Sequence, residues 1–146
     1  MSKLLKIDHL GIAVPDLSAA SETYEVLSGA PASHTEVVED QKVKVAFFQV
    51  GESNFELLEA TDPSSPIARF LERRPRGGLH HVCVEVEDIE AALARYREAG
   101  VRLIDEQPRR GAHNKRVAFV HPASTGGVLL ELSEATPHDT DERASS

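Results

Sequence analysis

One cysteine, Cys83, serves all 146 residues. It excludes an internal disulfide framework and fits a reducing cytoplasm. No apolar run approaches the roughly 18 residues of a membrane span. The opening "MSKLLKIDHL" has too short an apolar part, and meets charge too soon, for a secretory signal. Positive charge is scarce: 16 Lys and Arg against 24 Asp and Glu give a net charge of −8. That balance argues against general binding to nucleic acid or anionic membranes. Hydrophobic residues, at 40% of the chain, suffice for one compact domain or two small halves sharing a core. The expectation is a soluble cytoplasmic protein, with a disordered tail from residue 135 on, where no apolar pattern remains.

What the sequence does hold is a repeat. "IDHLGIAVPDL" (Ile7 to Leu17) reads much like "LHHVCVEVEDI" (Leu79 to Ile89). At an offset of 72 residues His9 falls on His81, Asp16 on Asp88, Leu17 on Ile89 and Tyr24 on Tyr96. The same offset lays "KVAF" (Lys44 to Phe47) on "RVAF" (Arg116 to Phe119). Three residues more bring "FELLE" (Phe55 to Glu59) onto "LELSE" (Leu130 to Glu134), pairing Glu56 with Glu131. Four segments in one order at nearly one offset indicate an internal duplication.

Each half opens with a strand whose period of two sets His9, Gly11 and Ala13 against Leu10, Ile12 and Val14, and His81, Cys83 and Glu85 against Val82, Val84 and Val86. Asp16 and Asp88 suit helix N-caps. Leu17, Ala20, Tyr24 and Leu27, then Ile89, Leu93 and Tyr96, follow at helical spacing. Gly29 and Gly100 end those helices. Further strands are predicted at Ser33–Glu39, Val43–Val50 and Asn54–Ala60, with counterparts at Arg102–Gln107, Arg116–His121 and Val128–Glu134. Ser65 and Pro66 open a connecting helix over Pro66–Arg73. The expected fold is α+β: tandem β-α-β-β-β modules at 1–62 and 78–134, joined through 63–77, form a curved sheet around a cleft.

His9, Glu56, His81 and Glu131 are the candidates for chemistry. Alternation sets Glu56 opposite Phe55 and Leu57, and Glu131 opposite Leu130 and Leu132, so both carboxylates leave otherwise apolar strands on one side. Burying them uncompensated is costly. Two imidazoles and two carboxylates suit one divalent ion of the cobalt, nickel, manganese, iron or zinc type. Taken singly, a histidine at a strand start is ordinarily a surface or hydrogen-bonded residue, and a glutamate between leucines a solvated one. The pairing of both types under one duplication is what favours ligation. His80 competes with His81, because a slip of one residue would exchange them. Cys83, amid valines, reads as packing. Arg109, Arg110, Lys115 and Arg116 gather in "EQPRRGAHNKRVAF", either as a solvated loop or as a basic patch for a phosphate-bearing ligand.

"IDHLGIAV", "ELLEATDPSSPIARFL", "GGLHHVCVEVEDIEAAL" and "GAHNKRVAFVHPASTGGVLLEL" together span nearly all of Ile7 to Leu132. They resemble the vicinal oxygen chelate superfamily and, within it, the methylmalonyl-CoA epimerase family. The resemblance implies one divalent metal ion per chain, cobalt first, then manganese, nickel, zinc, iron or magnesium. Its ligands would be His9, Glu56, His81 and Glu131, with Glu131 also the catalytic base. It further implies an acyl-CoA substrate, whose phosphates Arg109, Arg110, Lys115 or Arg116 would meet, and a homodimer. A second catalytic glutamate found in some bacterial members falls on Val45, so the second acid/base is left to Glu56, Lys44, Gln49 through a water, or water alone. A glyoxalase I-type lyase shares the ligand set, and a metal-free small-molecule-binding module shares the fold.

Overall fold

The structure, a computed structural model, describes residues 2–135. The predicted tail thus lies, from residue 136 on, outside the described residues. Strand β1 (Leu4–Ala13) leads to helix α1 (Leu17–Ser28), then β2 (His34–Val38), β3 (Val43–Val50) and β4 (Ser53–Ala60). Helix α2 (Pro66–Arg73) connects to β5 (Gly78–Val86), followed by α3 (Ile89–Glu98), β6 (Arg109–Arg110), β7 (Arg116–Val120) and β8 (Leu130–Glu134). The chain forms two compact units, and their borders cut the repeats: one holds residues 9–81, the other 2–8 with 82–135.

In the first unit the strand order is β2-β3-β4-β1, antiparallel except for the parallel β1–β4 pair. Helix α1 covers one face, burying Leu17 against Val14, Ala46, Phe48 and Leu57, with Ala20 and Tyr24 along the same seam. The predicted spacing fails at its end, where Leu27 is 72% exposed. The second unit repeats the arrangement as β6-β7-β8-β5, with β5–β8 parallel. Ile89, Ala92 and Leu93 pack on Val84, Val86, Ala118, Val120 and Leu132. The N-terminal residues tie into this second unit: Glu87 N donates to the Lys3 carbonyl, Asp88 N to Ser2 Oγ and Arg95 Nη1 to the Ser2 carbonyl at 2.7 Å.

Both long helices are doubly capped. Asp16 and Asp88 accept from the amides of Ala19 and Ala91, three residues on. The first-turn amides of Leu17 and Ile89 are taken by the carboxylates of Glu59 and Glu134, the last residues of "FELLE" and "LELSE". Gly29 and Gly100 follow α1 and α3 with positive φ, and Ser65 caps α2 through the Ile67 amide. One predicted strand is corrected. Residues 102–107 form only an isolated bridge, Leu103 to Val120. The Asp105 carboxylate accepts from Phe119 N at 2.8 Å, where a strand would have placed a carbonyl, and the chain turns away before the short ladder of Arg109 and Arg110.

Candidate metal centre

Three of the four predicted donors meet in the unit of residues 9–81. Register sets Gly11 beside Glu56 in the β1–β4 pair and Phe47 beside Glu56 in the β3–β4 pair. Glu56 thus rises between a glycine and a phenylalanine, on a face that also carries the buried Val45 and Leu58. That face is more apolar than its sequence of histidine, glycine, alanine and glutamate indicated. His9, Glu56 and His81 are all buried there. The Glu56 carboxylate stands 2.7 Å from His9 Nδ1. His9 Nε2 stands 3.0 Å from His81 Nε2, with the rings nearly perpendicular at 87°.

This chain of contacts suits one set of tautomers. A carboxylate beside Nδ1 of His9 accepts its proton and leaves Nε2 as a lone pair, the arrangement that orients ligand histidines. Behind His81, His80 Nδ1 lies 2.9 Å from His81 Nδ1, and the His80 ring meets Phe70 edge-on. When His81 donates from Nδ1 to His80, its Nε2 also presents a lone pair. With those tautomers the two Nε2 lone pairs face each other, an arrangement that a divalent cation would satisfy. Imidazole nitrogens beside a buried carboxylate are donors that such an ion would take. The donor chemistry therefore fits a divalent ion, and His81 rather than His80 is the residue facing His9.

Gly11 is what makes room. A Cβ on it would lie 2.2 Å from Cε1 of His81 and 2.5 Å from its Nδ1. Alternation alone assigns Gly11 a strand position and no role, and its counterpart under the repeat, Cys83, carries no hint. Gly77, with φ of 86°, likewise has no space for a side chain, because the Ala13 carbonyl would lie 2.2 Å from it. That contact fixes the turn that delivers β5 and its two histidines.

Glu131, the fourth predicted donor, belongs to the other unit, buried on β8 with Cys83 beside it on β5 and Phe119 beside it on β7. Cys83 lies two residues past His81 as Gly11 lies two past His9, so the two glutamates hold equivalent registers. The basic segment is partly spoken for. Arg116 pairs with Glu90 at 2.8 Å and Glu134 at 3.3 Å, and the Glu90 hydrogen bond holds its pKa above the usual guanidinium value. Arg109 lies 3.5 Å from Asp105 and over the Phe119 ring, Arg110 is exposed, and Lys115 lies 3.7 Å from Asp8. A feature the sequence reading passed over is a groove of about 380 Å³ along α2, where Arg69, Phe70 and Arg73 stand beside His80.

Residues 8–119 match the Glyoxalase/Bleomycin resistance protein/Dioxygenase superfamily. The chain belongs to that superfamily. The α+β fold of two β-α-β-β-β modules is the superfamily's vicinal oxygen chelate fold. Among its relatives, the mitochondrial methylmalonyl-CoA epimerase of Mus musculus is 40% identical over 91% of this chain and 75% of its own length. An ethylmalonyl-CoA/methylmalonyl-CoA epimerase of Cereibacter sphaeroides is 44% identical, over 88% of this chain and 97% of its own. A solved superfamily member, a methylmalonyl-CoA epimerase in complex with methylmalonyl-CoA and NH4+, superposes with a TM-score of 0.86 at 37% identity. It covers 92% of this chain and 97% of that one.

Proposed function

We propose that this protein is a metal-dependent epimerase interconverting (R)- and (S)-methylmalonyl-CoA. The observation that carries the reading is the pair of ring nitrogens 3.0 Å apart between a carboxylate and a second histidine. Identity near 40% to epimerases across most of the chain supports the substrate. The ion would be held by His9, His81 and Glu131, with Glu56 fixing His9 from behind. Glu131 joins the set because its register repeats that of Glu56. A bound divalent ion supplies Lewis acidity that lowers the cost of negative charge on substrate oxygens.

The protein's own part is proton transfer. The carbon between thioester and carboxylate loses its hydrogen as a proton to the Glu131 carboxylate, and the C–H electron pair enters the substrate as an enediolate. The buried apolar wall of Val45, Phe47 and Leu58 keeps the Glu56 side dry, which strengthens every charge interaction there. A return of the proton to the other face completes the inversion. Among the described residues no helix is long and apolar enough to cross a membrane. A cytoplasmic location and a homodimer belong to the same proposal.

The test is α-hydrogen exchange. Metal-loaded protein in deuterium oxide is expected to place deuterium at the α-carbon of methylmalonyl-CoA while scrambling its configuration. Glu131→Gln is expected to lower that rate at least a hundredfold. Absence of exchange alongside turnover of the glutathione adduct of methylglyoxal would transfer the protein to the lyases.

A further inference from the structure

We infer that Lys115 is the second acid/base, acting on the face of the substrate carbon opposite Glu131; this rests on the epimerase reading above. An epimerase must deliver a proton to the side from which none was taken, and the residues first considered do not serve. Val45 is apolar and buried. Lys44 is exposed and leaves β3 on the side opposite Val45. Gln49 could act only by orienting a water, and its amide already donates to the Gly51 carbonyl. Glu56 is engaged by His9.

Lys115 answers the requirement within the unit that carries Glu131. Its backbone is extended, with φ of −82° and ψ of 155°, so it continues β7 backwards with the parity of Val117 and Phe119. Phe119 is the register partner of Glu131. Lysine and glutamate therefore leave one face of the array, four residues of strand apart, about 13 Å. A substrate carbon seated between the two side chains would be approached by one group from each side. The ammonium is drawn inward, at 16% side-chain exposure, and stands 3.7 Å from Asp8, itself 15% exposed. A carboxylate oxygen of Asp8 lies within 4.8 Å of Cys83 Sγ, and Cys83 is the β5 neighbour of Glu131. Lys115 thus reaches the Glu131 face. The two residues before it, His113 and Asn114, hold φ of 58° and 61°. Consecutive non-glycine residues in the left-handed region persist where the surroundings fix a backbone against its preference.

Protons balance in both directions. Glu131 takes the hydrogen from one enantiomer, and the Lys115 ammonium protonates the enediolate on its other face, leaving a neutral amine. The reverse reaction begins with that amine as base and ends with the glutamic acid returning its proton. Exchange with water resets both groups.

The decisive variant is Lys115→Arg, which keeps a positive charge against Asp8 but cannot give up its proton at neutral pH. We expect it to fold, to bind methylmalonyl-CoA with KM within about threefold of wild type, and to epimerise at least a hundredfold more slowly. In deuterium oxide it should still exchange the α-hydrogen of the enantiomer that faces Glu131, and not that of the other. Lys115→Met should behave alike. Lys115→Cys alkylated with 2-bromoethylamine should recover epimerisation, the buried Cys83 being shielded from the reagent. Wild-type rates in the arginine variant, equal exchange of both enantiomers, or a defect confined to KM would each overturn the assignment. Wild-type protein that exchanges no α-hydrogen at all would instead remove the epimerase reading itself.

Discussion

A single hydrogen atom in place of a side chain decides whether His81 can face His9. Any residue but glycine at position 11 would press its Cβ against the imidazole, and the ring, being the movable partner, would turn. Gly11→Ala is therefore expected to keep the fold, since β1 holds an ordinary extended residue there, while breaking the contact between the two Nε2 atoms. Metal affinity should fall at least tenfold, as it does when a ligand's supporting contacts are lost. Cobalt titration followed by absorbance, beside a thermal melt, would measure both effects. A variant with native affinity would mean that His81 tolerates another rotamer. Glu56→Ala tests the same geometry from the other end. It removes the acceptor that fixes His9 and should weaken the ion by a similar factor, with Glu56→Gln restoring part of the loss because its amide oxygen can accept from Nδ1.

At the scale of elements, the doubled carboxylate caps make a sharp prediction. Glu59 and Glu134 each take a first-turn amide that no intrahelical carbonyl can reach, and each sits on the strand its helix covers. Removing either by Glu→Ala should cost about 1 kcal/mol, seen as a lower denaturation midpoint at unchanged m-value. Glu134 should lose more, because Arg116 also leans on it. The repeat made much of this layer legible before any coordinates. Asp16, Asp88, Ser65 and the alternation in β3 and β5 carry local signals, and helices and strands stand where those signals put them. Non-local contacts escaped. The turn at Asp105 depends on its side chain finding the Phe119 amide, which alternation in 102–107 does not encode. Leu27 keeps helical spacing but has nothing to pack on. At the site, residue type and repeat offset singled out His9, Glu56 and His81. The space provided by Gly11 and the inward turn of Lys115 toward Asp8 were invisible, since neither belongs to a pattern.

For the whole molecule the ion is a question of linkage. His9 and His81, with Glu56 behind His9, belong to the unit of residues 9–81, and Glu131 to the other. If the ion is held by both, saturating metal stabilises the complete fold, and loss of either contribution removes the gain. At a hundred times its dissociation constant a ligand adds about 2.7 kcal/mol, which for a chain of this length raises Tm by about 5–10 °C. Wild-type protein stripped by chelator and reloaded with cobalt should show that rise by differential scanning fluorimetry. His81→Ala should abolish it. Glu131→Gln is the informative case: the rise should shrink by at least half, although Glu131 lies fifty residues along the chain from the nearest other donor. An undiminished rise would confine the ion to the unit of residues 9–81 and remove Glu131 from its ligands. The net charge of −8 sharpens the point. A chain this acidic gains from a cation almost anywhere on its surface, so only a stabilisation that these two substitutions remove, and that survives 0.5 M salt, belongs to the buried donors.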